Sequence, residues 1–366
     1  MIRSRWSWFT VAAVGLFVLM ATDRPARATD LIVVLGAPGT DEYGKQFAAW
    51  ADRIARVADE NGFDLVRIGQ EVDDEASDRD RLLAAISHAK SPGQDPLWIV
   101  LIGHGTFADN IAKFNLRGPD VSATDLRKPL ATLDRPLILV NAASSSGPFV
   151  NRLSGDRRVI VTATQSGDER DFTRFGDYFS AAIASTDADL DHDDEVSVLE
   201  AFVRASAETR RFYDEADRIA TEHALIDDNG DGLGTPAKAF QGLRADKAGE
   251  KADGKSAWRY TLVPAQRSFT LSEDQLAERA EIEDSLERLR EQKADFDQAE
   301  FWRAIEDLMI RQAELYQAAK SAAEAESAGE SESKPAGSEQ TESSQETEAP
   351  EETETSEEPQ DAEQAP

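Results

Sequence analysis

Two short apolar runs constrain this chain more than any other feature. One is Leu97-Trp98-Ile99-Val100-Leu101-Ile102, which breaks into Gly103-His104-Gly105. The other is Leu137-Ile138-Leu139-Val140, which breaks into Asn141-Ala142-Ala143-Ser144-Ser145-Ser146-Gly147. A strand buried on both faces must be apolar at every position, and parallel sheets are buried in that way. In open sheets of this kind, ligands and chemistry collect outside the carboxyl ends of the strands. The two ends carry a His and a Ser, a base and a nucleophile if their side chains converge.

The rest of residues 30–245 keeps the same alternation. Residues 31–36 read as a buried strand, and Phe47, Trp50, Ile54 and Val57 then form one apolar helical stripe. Residues 63–68 read as a second strand, Leu82, Leu83 and Ile86 mark a second helix, and residues 158–164 read as a fifth strand. Strands alternating with helices predict an α/β domain with a mostly parallel sheet. The connection over residues 107–133 shows one readable helix, 123–133, and its Asp109 and Asp120 read as solvated loop carboxylates.

The paired motifs resemble the caspase-like peptidases, the group of caspases, legumains and gingipains. There, a catalytic His lies in a His-Gly pair after one strand, and a catalytic Cys follows the next within Ala-Cys-x-Ser/Gly-Gly. His104-Gly105 matches the first motif, and Ala143-Ser144-Ser145-Ser146-Gly147 matches the second except that Ser144 replaces the Cys. The resemblance implies a three-layer αβα sandwich, catalytic positions at His104 and Ser144, and an oxyanion hole using the Gly105 backbone. The chain has no cysteine to supply the missing thiolate. A serine hydroxyl must lose its proton as it attacks, so it needs a base within hydrogen-bond reach and a group to orient that base. Three functions follow. The first, carried forward as the expectation, is a catalytically degenerate peptidase fold that binds a peptide or protein partner. The second is an endopeptidase or other hydrolase using Ser144 with His104. The third is a non-catalytic scaffold module stabilised by calcium. The bland alternative for Ser144 is a strand-to-helix turn of small residues.

Two acidic loops bear on calcium. Asp189, Asp191, Asp193, Glu195 and Glu200 lie in a stretch with EF-hand spacing, residues 189–200, with Val196 at the apolar eighth position. Apolar stripes flank it, Phe175, Phe179 and Ile183 before and Leu199, Phe202 and Val203 after. Asp194 stands where the sharp turn usually has Gly, and Asp tolerates left-handed backbone better than most residues. The second loop, Asp227-Asp228-Asn229-Gly230-Asp231-Gly232, opens like a calcium loop through Asp227, Asn229 and Asp231. Its twelfth position is Lys238, so it reads as a turn or as a weaker metal site completed from elsewhere.

The ends differ in character from the core. Arg3 and Arg5, an apolar stretch over residues 9–20 and Ala26-Arg27-Ala28 predict a signal peptide over 1–28 and an exported, periplasmic or secreted mature chain beginning at Thr29. That stretch falls short of a spanning helix, and no later segment is long and apolar enough. Beyond Ser272 and Gln275, a capping box, two apolar stripes predict a helical hairpin over 266–326. They are Ile282, Leu286 and Leu289, then Trp302, Ile305, Leu308, Met309, Leu315 and Tyr316, with a break at 294–297. Self-association through this hairpin is one possible use. From Ser327 onward thirteen Asp/Glu and one Lys give a charge of −12, part of a total of −31, and predict a disordered tail. So acidic a chain is a poor nucleic-acid partner.

Overall fold

The computed structural model describes residues 30–71, 75–90, 95–191, 194–245, 253–263 and 271–332. The expected signal peptide and residues 333–366 of the expected tail lie outside them, as do His192 and Asp193 of the first acidic loop. The chain divides after Gln266 into two units.

The first unit is built on a seven-stranded sheet. Its strands are β1 (Leu31–Leu35), β2 (Leu65–Ile68), β3 (Leu97–Ile102), β4 (Leu137–Asn141), β5 (Arg158–Thr162), β6 (Leu225–Asp227) and β7 (Thr235–Pro236). Their spatial order is β7-β6-β5-β4-β3-β1-β2. The five strands expected from sequence all pair parallel, with β2 beginning at Leu65 and β5 ending at Thr162. The added edge, β6 and β7, is antiparallel.

The continuous apolar runs are explained by two separate cores. Leu31, Val33 and Leu35 of β1 face α1 (Asp41–Glu60), where Phe47, Trp50 and Ile54 are buried. Ile32 and Val34, pointing the other way, meet α2 (Asp78–His88) through Leu82 and Ile86. Helices α3 (Ala123–Leu130) and α4 (Pro148–Leu153) also pack on the α2 face. Helices α5 (Phe175–Ile183) and α6 (Val198–Glu215) complete the α1 face. Each fully buried Leu, Ile or Phe contributes about 1.5–3 kcal/mol, so a polar residue on either side of β1 would disrupt one core.

Two local readings are corrected. The helix expected over 123–133 stops at Leu130, with Pro129 inside its last turn and the Ala131 N–H capping on the Arg127 carbonyl. The preceding connection is no open loop. Gly105–Ala108, Ile111–Phe114 and Val121–Ser122 form a three-stranded antiparallel sheet. Asp109 and Asn110 join its first two strands with φ of 52° and 59°, the paired left-handed conformation of a two-residue hairpin.

The second unit holds α7 (Glu273–Glu291) and α8 (Gln298–Glu332), separated by a short 3₁₀ turn, Lys293–Asp295. Ser272 and Gln275 exchange the expected capping hydrogen bonds. Lys293 lies over the Phe301 ring while Arg311 reaches Glu278, so the helices run antiparallel. Ile282, Leu286 and Leu315 form the seam, flanked by Ile305, Leu308 and Tyr316. Trp302 and Met309 do not join it; they are 56% and 50% exposed, and Phe301 is buried instead. Helix α8 runs to Glu332, beyond the start expected for the tail, through Ala and Glu that favour helix. Among the described residues no helix is long and apolar enough to cross a membrane.

Candidate functional site

The carboxyl ends of β3 and β4 meet through the Ser144 side chain and the Gly105 backbone. The Ser144 Oγ accepts from the Gly105 N–H at 3.1 Å and donates to the Gly105 carbonyl at 3.2 Å. A Cβ on Gly105 would overlap the Ser144 carbonyl oxygen, so only glycine lets the two strand exits lie this close. Ser144 is 4% exposed. The Gly105 N–H expected to hold an oxyanion is therefore occupied by the Ser144 hydroxyl itself.

His104 takes another direction. Its Nε2 lies 3.2 Å from the Pro38 carbonyl, and since a carbonyl only accepts, Nε2 carries the proton. The ring is boxed edge-on by Tyr43 and Phe47 of α1, with centroids 4.8 and 5.2 Å away, and by Phe172. Burial lowers the His104 pKa, an effect only partly offset by the Pro38 hydrogen bond, so the imidazole stays neutral near pH 7. No hydrogen bond joins His104 to Ser144; the two residues named by the motif lie at neighbouring strand ends with their side chains bonded elsewhere, to Pro38 and to Gly105.

The serine turn is sealed from the other side by the segment after β5. Ser145, in left-handed backbone at φ 55°, donates its N–H to the Glu169 carbonyl at 2.7 Å. Ser146 Oγ pairs with Thr164 Oγ1 at 3.1 Å, and the Gly147 N–H also reaches Thr164 Oγ1. The Glu169 carboxylate accepts from the Gln165 backbone and side chain and from the His223 backbone, and it lies 2.5 Å from His223 Nδ1. Glu169 and His223 were not expected from sequence. They are 54 residues apart, and the signal for His223, its place just before β6, required recognising an edge strand.

The first acidic loop brings Asp189, Asp191 and Glu200 together, with one carboxylate oxygen of each inside a 4.8 Å group; Glu195 is not in that group. Asp189 accepts from the Asp194 N–H, and Asp194 holds φ 68°, the left-handed turn anticipated for the sixth position. Glu200 Oε1 accepts from the N–H groups of Leu190 and Asp191, while Oε2 accepts from Ser197 in the capping box of α6.

The second loop repeats the turn and its backbone hydrogen bonds, but among the described residues only the first loop gathers three carboxylates. Asp227 accepts from the Gly232 N–H, and Gly232 has φ 74°. Asn229 and Asp231 accept from the N–H groups of Asp231 and Leu233. Lys238 leaves the twelfth position without a carboxylate; Asp253 accepts from the Asp228 and Asn229 N–H groups, as Glu200 does from Leu190 and Asp191. Burial pushes the Asp253 pKa up to about 7, with Asp228 and Asp227 adding to it against the Thr235 and Asp228 hydrogen bonds. Asp253 was missed because it lies outside any loop spacing. Neither protein-family models nor curated proteins yield a match to this chain.

Proposed function

We propose that this is an exported protein of the caspase-like peptidase fold whose strand-end crevice binds a peptide or protein segment without cleaving it. One observation carries the reading: the Ser144 hydroxyl is closed on both polar groups of Gly105 while His104 is committed to Pro38. A serine nucleophile needs a base within reach and free oxyanion donors, and this arrangement supplies neither. The parallel sheet with helices on both faces is compatible with a three-layer sandwich of that group. The test is a diverse peptide library incubated with the mature protein. Enrichment of intact peptides that compete for one site supports the proposal, and peptide cleavage that vanishes in Ser144→Ala overturns it.

A second reading concerns calcium. The convergence of Asp189, Asp191 and Glu200 around a left-handed sixth position supports a Ca²⁺ site at the first loop, with oxygen donors of the kind that ion takes. The second loop, with Asp253 on its backbone N–H groups, is a weaker candidate for the same ion. Millimolar calcium is expected to raise the melting temperature of the parent but not of Asp189→Asn. An equal response in both proteins, or none in the parent, would remove the first site.

A further inference from the structure

The Ser144-Ser145-Ser146 turn is buried for a reason that lies outside it. Residues 165–171 follow β5 and pack on the serine turn and on the antiparallel hairpin. Gly167 lies flush on the Phe107 ring of the antiparallel hairpin, where a Cβ would collide with it. The Glu169 carbonyl takes the Ser145 N–H. Beneath it, the Ser145 Oγ is buried and has no hydrogen-bond partner, and its backbone is left-handed. Buried hydroxyls are nearly always paired, and a non-glycine residue at positive φ persists only where its surroundings hold it. Both features mark a turn held in a conformation that its own hydrogen bonds do not require.

We propose that residues 165–171 are an autoinhibitory strap over this turn, latched by the Glu169–His223 contact, and that releasing the latch opens the crevice to an extended peptide. The occupant follows from what the strap itself does: it presents a main-chain carbonyl to the Ser145 N–H, the interaction a peptide backbone makes when it docks alongside a strand end. The latch is at the surface, since the His223 side chain is 45% exposed while that of Glu169 is 13% exposed. A binding partner or solvent can therefore reach the latch without disturbing either core. The choice of a peptide as occupant rests on the function proposed above; the strap does not.

Hydrogen exchange read by mass spectrometry on the full chain tests this, comparing the parent with His223→Ala and Glu169→Gln. His223→Ala is the safer variant, because it trims a half-exposed side chain. Weakening the latch at either side chain, with the His223 N–H still in place, is expected to speed exchange by about tenfold or more in peptides covering 141–147 and 165–171, with β1 and α1 unchanged, as local opening requires. Unchanged exchange at the turn in both variants overturns the strap, and so does a uniform increase across the sheet, which would make the pair a general stabiliser. Peptide-library binding on the same variants separates the two claims. Local opening with tighter peptide capture supports both, whereas local opening without capture keeps the strap and removes the peptide reading.

Discussion

The exits of β3 and β4 differ in how they spend their polar side chains. Both follow buried apolar strands, and both end in residues that could do chemistry. The β3 exit turns its imidazole away, into an aromatic box and onto Pro38. The β4 exit turns its hydroxyls inward, Ser144 onto Gly105 and Ser146 onto Thr164. What joins the exits is the Ser144 hydroxyl on the Gly105 main chain, not a contact between the His104 and Ser144 side chains. Neighbouring motifs therefore guarantee neighbouring backbones only, and catalysis needs the side chains to converge as well.

That contrast can be broken experimentally, first at the point of backbone contact. Gly105→Ala forces a Cβ against the Ser144 carbonyl and also crowds the Lys113 carbonyl, neither of which can move alone. The expected cost is about 3 kcal/mol, at the upper end for overpacking, measured by denaturant unfolding. A loss below about 1 kcal/mol would mean that the two exits are not in contact. Next comes Ser144→Ala, which leaves the buried N–H and carbonyl of Gly105 without their hydroxyl partner. A loss of about 1–2 kcal/mol is expected from the same unfolding curves. An unchanged or increased stability would indicate a hydroxyl held for function rather than structure.

The smallest effect belongs to the β3 exit and is read as pH dependence. The folded-state pKa of His104 is lowered, so its contribution to stability is present above the unfolded value, near 6.5, and is lost as pH falls toward the folded pKa. His104→Phe keeps an aromatic ring in the box but cannot titrate. Melting curves between pH 7.5 and 5 should therefore fall less steeply with acid in the variant than in the parent. Equal slopes would place the imidazole in solvent rather than in the box.

How much of this was legible in the sequence follows the range of each interaction. The parallel strands were readable because burial on two faces demands apolar residues throughout β1 and β3 and over 137–140 of β4. The adjacency of His104-Gly105 to Ser144 was readable from consecutive strands. The direction of the imidazole was not, because Tyr43, Phe47, Pro38 and Phe172, which set it, come from other segments. The hairpin carried a local signal in Asp109-Asn110 flanked by Phe107 and Ile111, masked because its strands are only four residues long. Glu169 with His223, and Asp253 with the second acidic loop, meet only through the antiparallel edge and the segment after it, so no spacing rule reaches them. In the helical unit, periodicity found the seam through Ile282, Leu286 and Leu315. It misplaced Trp302 because Phe301, one position away, turns inward instead.

We propose that the Ser144 hydroxyl, held by the Gly105 backbone, does not act as a nucleophile. The test is treatment of the protein with a fluorophosphonate probe, followed by intact-mass and peptide mapping. The account expects no adduct on Ser144, in parent or in His104→Phe. A stoichiometric adduct on Ser144 that disappears when His104 is replaced would contradict it and establish a working serine–histidine pair.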